Sequence, residues 1–324
     1  MVSKLVSIIM PVCNAARYLE TAIASIRTQT YSTFELIIID DGSTDSTPAI
    51  ICAAMETDHR IKAIRHDICL GLPRSLNDGL QLARGEWIAR MDADDICTQN
   101  RLAMQVEFLR NNPAFGLVGT QGRYINEGGE LQNSSQFPAH HADCVQEILI
   151  GNSPFFHSSW MMTRTCFERV GFYNPCLFSG EDKDFWLRAS EQFQVSNIDF
   201  QGVCYRVHAE AFTTKTIRER RFFRSFIIDL YQQRKQSGID YLGCALSSRW
   251  PFSTIDGFKA ARVMRFFLAA NRLVGTLAWG PFFWNLLKCL WVRGTHRYTW
   301  VLAFRLIRLF HSYIFKSGMS VLFR

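Results

Sequence analysis

The sequence predicts an α/β protein with a mainly parallel central sheet, followed by a basic, mostly helical region. Short runs rich in Ile and Val alternate with segments of helical periodicity in the first two thirds of the chain, as expected for successive βα units. The charge balance then changes near residue 210. Residues 1–210 contain 17 basic and 25 acidic side chains, whereas residues 211–324 contain 19 basic and 4 acidic ones. We therefore predict two regions with different roles, 1–212 and 213–324.

The predicted elements of the first region place polar residues after three of its strands. In an open α/β sheet, ligands bind at the carboxyl ends of the strands, because the loops there converge on a crevice. We therefore expect a binding site at this edge of the sheet. The predicted strands cover residues 6–10, 34–39, 61–64 and 87–91, and the predicted helices cover residues 18–29 and 75–83.

The composition excludes a disordered chain and a disulfide-rich one. The chain has 324 residues, enough to bury a large core, and 48% of them are hydrophobic, including 26 Phe and 8 Trp. Its 10 cysteines are scattered and form no CxxC pair. The first five residues lack the layout of a signal peptide. We expect reduced thiols in the cytosol, and neither a disulfide framework nor a zinc site.

Three carboxylates follow the fourth predicted strand, at Asp92, Asp94 and Asp95. A nucleotide diphosphate is itself negatively charged, so it can approach these groups only with a cation between them. Oxygen ligands favour Mg²⁺ or Mn²⁺ in that position. The same Asp-rich turn can also cap the helix that follows it. The residues alone leave both interpretations open.

Two further acidic pairs have a functional and a structural interpretation. Asp40 and Asp41 end the second strand. A carboxylate there could accept hydrogen bonds from the uracil or ribose of a bound nucleotide, but Asp-Gly-Ser is also a common turn sequence. Glu181 and Asp182 lie in the first turn of a predicted helix. They could stabilise the positive end of the helix dipole, or one of them could accept a proton from an acceptor hydroxyl.

An ordered set of motifs resembles the family 2 glycosyltransferases, which have the GT-A fold. The motifs include PVCN at residues 11–14, DDGSTD at 40–45, ARMDADD at 89–95 and GEDKDFWLR at 180–188, and they end with YRVH at 205–208. They cover about two thirds of the chain in the family's order. Lys183 stands where the family more often has an aromatic or apolar residue.

The resemblance implies that the chain inverts the anomeric carbon as it transfers a sugar from a nucleotide-sugar donor, with Mn²⁺ or Mg²⁺ as cofactor. Family frequency favours a UDP-sugar. Asp182 matches the family's base, with Glu181 beside it. Metal ligands are implied at Asp92, Asp94 and His208, and donor contacts at Pro11, Val12, Asn14, Asp40, Asp41 and Asp92.

Four other polar residues are candidates on weaker grounds. Arg206 could bind phosphate oxygens in a bidentate fork. Arg74 and Asn77 could approach the donor, although an exposed helix face explains them equally well. His157 could line the acceptor pocket, or it could be a core histidine whose hydrogen bonds are satisfied.

The region 213–324 is predicted to contact a membrane. Arg residues lie beside large apolar ones at helical spacing, as in residues 220–228 and 262–268, which suits an anionic membrane surface. Residues 273–292 are apolar and about long enough to span a bilayer. Polar residues interrupt them, so we favour an in-plane or re-entrant helix. The alternative is a helical cap on the soluble domain. The interrupting residues are Pro281, Asn285 and Lys288.

These features together predict an enzyme attached peripherally to the inner face of the cell membrane. The acceptor would be a glycan or a lipid-linked oligosaccharide in bacterial surface polysaccharide or lipopolysaccharide assembly. No nucleic-acid module is recognisable, so we expect no nucleic-acid partner. One alternative is a polyprenyl-phosphate sugar synthase, whose ionised acceptor would not need Asp182 as a base. Another is a nucleotidyltransferase, although residues 11–16 lack the glycines that such enzymes use to bind a triphosphate.

Overall fold

The computed structural model describes residues 4–175, 177, 179–209 and 217–237. These residues belong to one compact unit, Met1–Ile239. The predicted stretches 262–268 and 273–292 lie outside the described residues. A nine-stranded sheet forms the centre of this unit, in the order β3-β2-β1-β4-β8-β6-β9-β5, with β7 paired to β6. The strands are β1 Val6–Val12, β2 Phe34–Asp40, β3 Ile61–Arg65, β4 Trp87–Arg90, β5 Ile96–Cys97, β6 Phe115–Ile125, β7 Leu131–Ser134, β8 Met161–Thr163 and β9 Gln194–Arg206.

The sheet is parallel in its first half and mixed in its second. Strands β1 to β4 are parallel neighbours, as the sequence predicts for βα units. Strand β8 then pairs antiparallel with both β4 and β6, while β6 and β9 are parallel to each other. The four predicted strands are all present, and β1, β2 and β4 end at one edge of the sheet with polar residues following.

The helices pack on the sheet and carry several of the predicted site residues. Helix α3 begins three residues earlier than predicted, because Pro73 is compatible with the first turn and Gly71 precedes it with φ of 91°. The helices are α1 Leu19–Arg27, α2 Thr47–Thr57, α3 Leu72–Leu82, α4 Arg101–Asn111, α5 His141–Ile150, α6 Arg164–Val170, α7 Glu181–Ser190 and α8 Ile217–Ser237.

Buried aliphatic side chains hold the parallel strands in place. Every residue of β1 and β2 is buried, which explains their continuous Ile- and Val-rich sequences. Helix α3 lies very close to these strands, since a Cβ atom at Gly79 would come 2.7 Å from Ile39 Cδ1. This close approach fixes the loop before α3 beside the ends of β1 and β2.

Helix α8 packs on the domain instead of projecting from it. Its apolar side chains Phe223, Phe226, Ile227 and Leu230 are at most 2% exposed. These four side chains therefore pack inside the domain. A membrane contact by the region 213–324 stays a prediction. Among the described residues, no helix is both long and apolar enough to cross a bilayer.

Candidate active site

The carboxylates that follow β4 form a cluster. One oxygen from each of Asp92, Asp94 and Asp95 lies within 4.8 Å of the others. Burial raises the pKa of Asp92 and raises that of Asp95 well above its usual range, and the neighbouring carboxylates raise both further. Within the part of the chain that the structure describes, the buried Oδ2 of Asp95 has no hydrogen-bond partner. Such a cluster is stabilised when a cation binds it.

A buried arginine orients the first member of this cluster. Arg90 is the last residue of β4 and is only 2% exposed. It donates to Asp92 Oδ2 from Nη1 at 2.7 Å and forms a second contact with Oδ1 through Nη2. The sequence analysis did not single out Arg90. A charged residue inside a buried apolar strand was the signal that could have identified it.

His208 lies beside Asp94, the second carboxylate of the cluster. Its Nε2 is 2.9 Å from Asp94 Oδ2. The ring packs against Tyr18, with 5.3 Å between the ring centroids. An imidazole nitrogen and carboxylate oxygens that converge in this way fit a divalent cation of the Mg²⁺ or Mn²⁺ type. The grouped carboxylates are those of Asp92, Asp94 and Asp95, and His208 lies beside Asp94. Metal ligation by Asp92, Asp94 and His208 stays a prediction.

Arg206 braces the same cluster through backbone groups. Its amide nitrogen donates to Asp95 Oδ1 at 2.8 Å, and its Nε donates to the Asp94 carbonyl oxygen at 2.8 Å. Its Nη1 donates to the carbonyl oxygens of Asn126 and Glu127, both at 3.1 Å. Arg206 thus joins the acidic turn to the end of β6. A phosphate contact by this residue stays a prediction.

A second group of predicted residues lies at the ends of β1 and β2. Pro11 and Val12 are the last two residues of β1, and Val12 accepts a hydrogen bond from the Asp41 amide at 2.8 Å. Asn14 has a positive φ of 51°. Its Oδ1 accepts from the Thr44 amide at 2.8 Å, which ties the two loops together. The strand ends therefore form one joined edge, as expected for a ligand crevice.

Asp40 and Asp41 have different surroundings although both are buried. Asp40 Oδ1 accepts from the Ser43 amide at 2.9 Å, and Oδ2 lies 3.4 Å from Arg65 Nε. Asp41 accepts from the amides of Leu70 and Gly71 at 2.7 and 2.8 Å. Burial alone would raise the pKa of Asp41, but these hydrogen bonds and one from His66 lower it. Asp41 thus organises the loop before α3.

His66 connects that loop to helix α3. Its Nδ1 is 2.8 Å from Asp41 Oδ1, and its Nε2 is 3.0 Å from Asp78 Oδ2.

Arg74 lies half-buried in the first turn of α3. Asn77 uses both ends of its amide on Tyr173, since Nδ2 donates to the carbonyl oxygen at 2.9 Å and Oδ1 accepts from the amide at 2.8 Å. Donor contacts by Arg74 and Asn77 stay predictions.

The Glu181-Asp182 pair lies in the first turn of α7, as predicted. Glu181 is 4% exposed, and burial next to Asp182 raises its pKa to about 8. Arg90 and Asp92 also contribute to this pKa, so the pair shares the electrostatic environment of the carboxylate cluster. Asp182 is less buried, and its Oδ1 accepts from the Lys183 amide at 2.7 Å. The arrangement offers a neutral acid beside an accessible carboxylate.

His157 lies under this pair. Its Nδ1 is 3.9 Å from Glu181 Oε1, and its Nε2 is 3.0 Å from the Tyr173 hydroxyl. Burial, together with the charge of Arg90, holds the pKa of His157 well below its usual range, so the ring is neutral at neutral pH. Tyr173 was not identified from the sequence, because no pattern distinguishes it from an ordinary core tyrosine. A contact between His157 and an acceptor stays a prediction.

The fold and the acidic site define a glycosyltransferase of the GT-A type. The structure of S. aureus TarS 1-349 superposes with a TM-score of 0.57 at 16% identity, over 91% of this chain and 93% of that one. Mannosyltransferase PcManGT from Pyrobaculum calidifontis gives a TM-score of 0.54 at 18% identity, over 90% of this chain and 88% of that one. At these identities, the likeness establishes the fold.

The chain belongs to glycosyl transferase family 2, whose model matches residues 7–171. Putative glycosyltransferase EpsE of Bacillus subtilis is 35% identical, over 64% of this chain and 73% of its own length. O-antigen biosynthesis glycosyltransferase WbnJ of Escherichia coli is 32% identical, over 63% of this chain and 80% of its own length. An uncharacterised glycosyltransferase of Haemophilus influenzae is 32% identical, and the match covers 66% of its length. The GT-A fold and the family are thereby confirmed, and the nucleotidyltransferase alternative is set aside.

Proposed function

We propose that this chain transfers a sugar from a nucleotide-sugar donor to a hydroxyl group of a glycan or lipid-linked acceptor during cell-surface polysaccharide assembly. The proposal depends on two features: the carboxylate cluster with His208 at Asp94, and the Glu181-Asp182 pair, whose pKa the cluster influences. Transfer needs both leaving-group stabilisation and a base. The E. coli relative named for O-antigen biosynthesis supports the pathway. A TarS structure contains UDP-GlcNAc and the PcManGT structure contains GDP-Man and Mn²⁺, which supports a nucleotide-sugar donor.

The donor would lie along the joined strand edge. The nucleoside would lie next to Asn14 and the Asp40-Asp41 pair, and we favour a UDP-sugar. A divalent ion held by Asp92, Asp94 and His208 would neutralise the charge that develops on the departing diphosphate. Arg90 keeps Asp92 oriented toward that position, and Arg206 holds the turn that carries Asp94. These residues therefore bind and orient the donor.

Asp182 would act as the general base on the acceptor. It takes the proton of the acceptor hydroxyl while the hydroxyl oxygen bonds to the anomeric carbon and the bond from that carbon to the diphosphate breaks. A single displacement of this kind inverts the anomeric configuration. Glu181 stays protonated at neutral pH because its pKa is raised to about 8. The more accessible Asp182 is then the carboxylate of the pair that meets the acceptor.

The base is tested by Asp182→Asn. Because the amide cannot accept the proton, kcat should fall by about 10²- to 10⁴-fold, while the donor Kd stays within about twofold. The measurement combines steady-state transfer kinetics with calorimetric donor binding. Asp199→Asn, on an exposed part of β9, is the matched control. Retained transfer in Asp182→Asn would contradict the proposed base and favour a lipid-phosphate acceptor, as in a polyprenyl-phosphate sugar synthase.

The membrane would be reached through the part of the chain beyond α8, on the cytoplasmic face. Residues 240–324 carry 12 basic and 2 acidic side chains, which favours anionic lipid. Sedimentation with vesicles containing phosphatidylserine should capture the protein, and salt should release it. Equal binding to neutral phosphatidylcholine vesicles, or no binding to either, would contradict this part of the proposal.

A further inference from the structure

Helix α7 carries the Glu181-Asp182 pair, and α8 contacts it at both of its ends. At the beginning of α7, a Cβ atom at Gly180 would lie 2.7 Å from Ile227 Cδ1, so the two helices touch there. Farther along, Arg234 Nη1 is 3.4 Å from Asp184 Oδ1. At its end, Arg234 Nε donates to Glu191 Oε1 at 3.0 Å. The contacts of Ile227 and Arg234 therefore extend from the beginning of α7 to its end.

The charges in this contact are buried. Arg234 is 8% exposed and Asp184 is 2% exposed. Removing one member of a buried ion pair leaves its partner desolvated without compensation, which makes such pairs sensitive to substitution. The apolar residues Phe223, Phe226 and Ile227 around them are almost completely buried. The contact is thus a packed interface within the domain.

The contact continues from α8 through α7 to the loop under the acidic pair. Asp184 also accepts from Arg188 Nε at 2.9 Å. Arg188 in turn donates to the carbonyl oxygens of Val170 and Phe172, at 2.6 and 2.9 Å. The next residue in this loop is Tyr173, whose hydroxyl meets His157. A rotation of α7 would therefore disturb the base and the groups under it together.

Glycines permit a second close contact near the beginning of α7. Lys183 Nζ donates to the Gly151 carbonyl oxygen at 2.6 Å. Any side chain at Gly151 would collide with the guanidinium group of Arg224 on α8. The first turn of α7 therefore contacts the end of α5, and the side chain of Arg224 on α8 also lies against Gly151. Helices α7 and α8 both lie beyond residues 7–171, which match the family model, whereas Gly151 lies within them.

We propose that α8 positions the base of the transfer reaction, with Arg234 as the positioning residue that holds α7 and hence Asp182 in register with the donor. The inference rests on the proposed function for its kinetic consequence. Its structural consequence is independent of the proposed function: α7 opens when the Arg234 contacts are removed. Arg234 touches neither donor nor acceptor in this proposal.

The test uses the full-length chain with Arg234→Met, which removes the charge and keeps much of the volume. Hydrogen exchange should show α7 amides losing protection by about tenfold or more while β1 and β2 stay protected. Transfer kinetics, measured well below Tm, should show kcat reduced about tenfold or more with the donor Kd unchanged. Arg234→Lys should restore part of both. Lys235→Met, which removes the exposed neighbouring cation, should change neither.

Glu191→Gln provides a milder variant if Arg234→Met does not fold, because Asp184 keeps its arginine partners. Glu191→Gln should also reduce the protection of the α7 amides and the kcat, but by smaller factors than Arg234→Met. Unchanged α7 protection in a folded variant overturns the positioning role, whether or not transfer is detected. So does a folded variant whose kcat stays within about twofold of wild type. If the wild-type chain shows no transfer, the proposed function fails, and the exchange experiment still decides the positioning role.

Discussion

Glu181 is the residue at which burial most clearly changes the chemistry. It is 4% exposed, and Asp182 is its neighbour in the chain. Two adjacent carboxylates in such a place repel each other when both are ionised. Burial raises the pKa of Glu181 to about 8, so the protein avoids this repulsion by keeping one proton. In the proposed mechanism, Asp182 is the member of the pair that acts on the acceptor.

Glu181→Gln should remove a pH dependence of stability. The folded-state pKa of about 8 exceeds the ordinary value of 4.5, so the folded protein binds this proton more tightly than the unfolded chain. The stabilisation is complete below pH 4.5 and is lost as pH rises toward 8. In EDTA, the Tm of the wild type should therefore fall relative to that of Glu181→Gln as pH rises from about 5 to about 9.

The matched control for this prediction is Glu107→Gln, the same change on the exposed surface of α4. Its Tm should follow that of the wild type at each pH. A difference between wild type and Glu181→Gln that does not vary with pH would show that Glu181 is ionised in the folded protein throughout.

The acidic residues of the candidate site were visible in the local sequence, but their partners were not. Asp92, Asp94 and Asp95 lie together, and His208 lies beside Asp94; these residues could be found because ordered motifs contain them. Arg90 and Tyr173 were missed, since their importance arises from burial next to the acidic groups and not from any string. His66 was missed for the same reason: it lies 25 residues from Asp41 in sequence.

At the scale of elements, the loop between β3 and α3 depends on one carboxylate. Asp41 accepts hydrogen bonds from two successive amides of this loop and from His66, and it is 4% exposed. Sequence reasoning offered nucleoside contact or turn formation for the Asp40-Asp41 pair. The structure gives Asp41 a clear architectural role in this loop, whereas Asp40 Oδ2 is buried with Arg65 Nε at 3.4 Å as its ion-pair partner.

Asp41→Asn should destabilise the protein by about 2 kcal/mol, because the amide nitrogen would face N–H donors that require an acceptor. Urea denaturation measures this free energy of unfolding. Asp67→Asn, an exposed change in the same loop, should remain within about 0.5 kcal/mol of wild type. Equal stability of Asp41→Asn and wild type would mean that the loop is held by other contacts.

Element boundaries were predicted less accurately than element types, for local reasons. Helix α3 was expected over residues 75–83 and occupies Leu72–Leu82, since Pro73 can begin a helix and Ala83 turns into extended backbone. Helix α1 was expected over 18–29 and occupies Leu19–Arg27. The antiparallel insertion of β8 between β4 and β6 could not be read from the sequence, because strand order depends on long-range pairing.

At the scale of the whole molecule, the domain extends beyond the family motifs. The sequence placed a boundary at residue 212, where the charge balance changes and the motifs end. The compact unit that includes α8 runs to Ile239. The buried aromatic residues of α8 lie in residues 220–228, one of the stretches from which the sequence analysis predicted contact with a membrane surface. Arg next to large apolar residues at helical spacing fits an interface with lipid or with protein, and packing decides between them.

Two truncations should therefore behave differently. A chain that ends at Ile239 keeps α8 and should fold with a Tm close to that of the transferase domain in the full chain. A chain that ends at residue 212 loses Phe223, Phe226, Ile227 and Leu230, each worth about 1.5–3 kcal/mol of burial. It should aggregate or melt at much lower temperature. Circular dichroism melts test this, and equal melts for the two chains would contradict the role of α8 as part of the domain.

The central claim is that the acidic cluster binds a nucleotide sugar through a divalent ion. Calorimetry on the purified chain, with UDP-, GDP- and TDP-sugars in Mn²⁺, Mg²⁺ or EDTA, tests it most directly. We predict that one donor binds only with metal, that Asp94→Asn weakens this binding about 100-fold, and that Asp199→Asn leaves it unchanged. Binding that persists in EDTA, or that is equally strong in Asp94→Asn, would contradict the account.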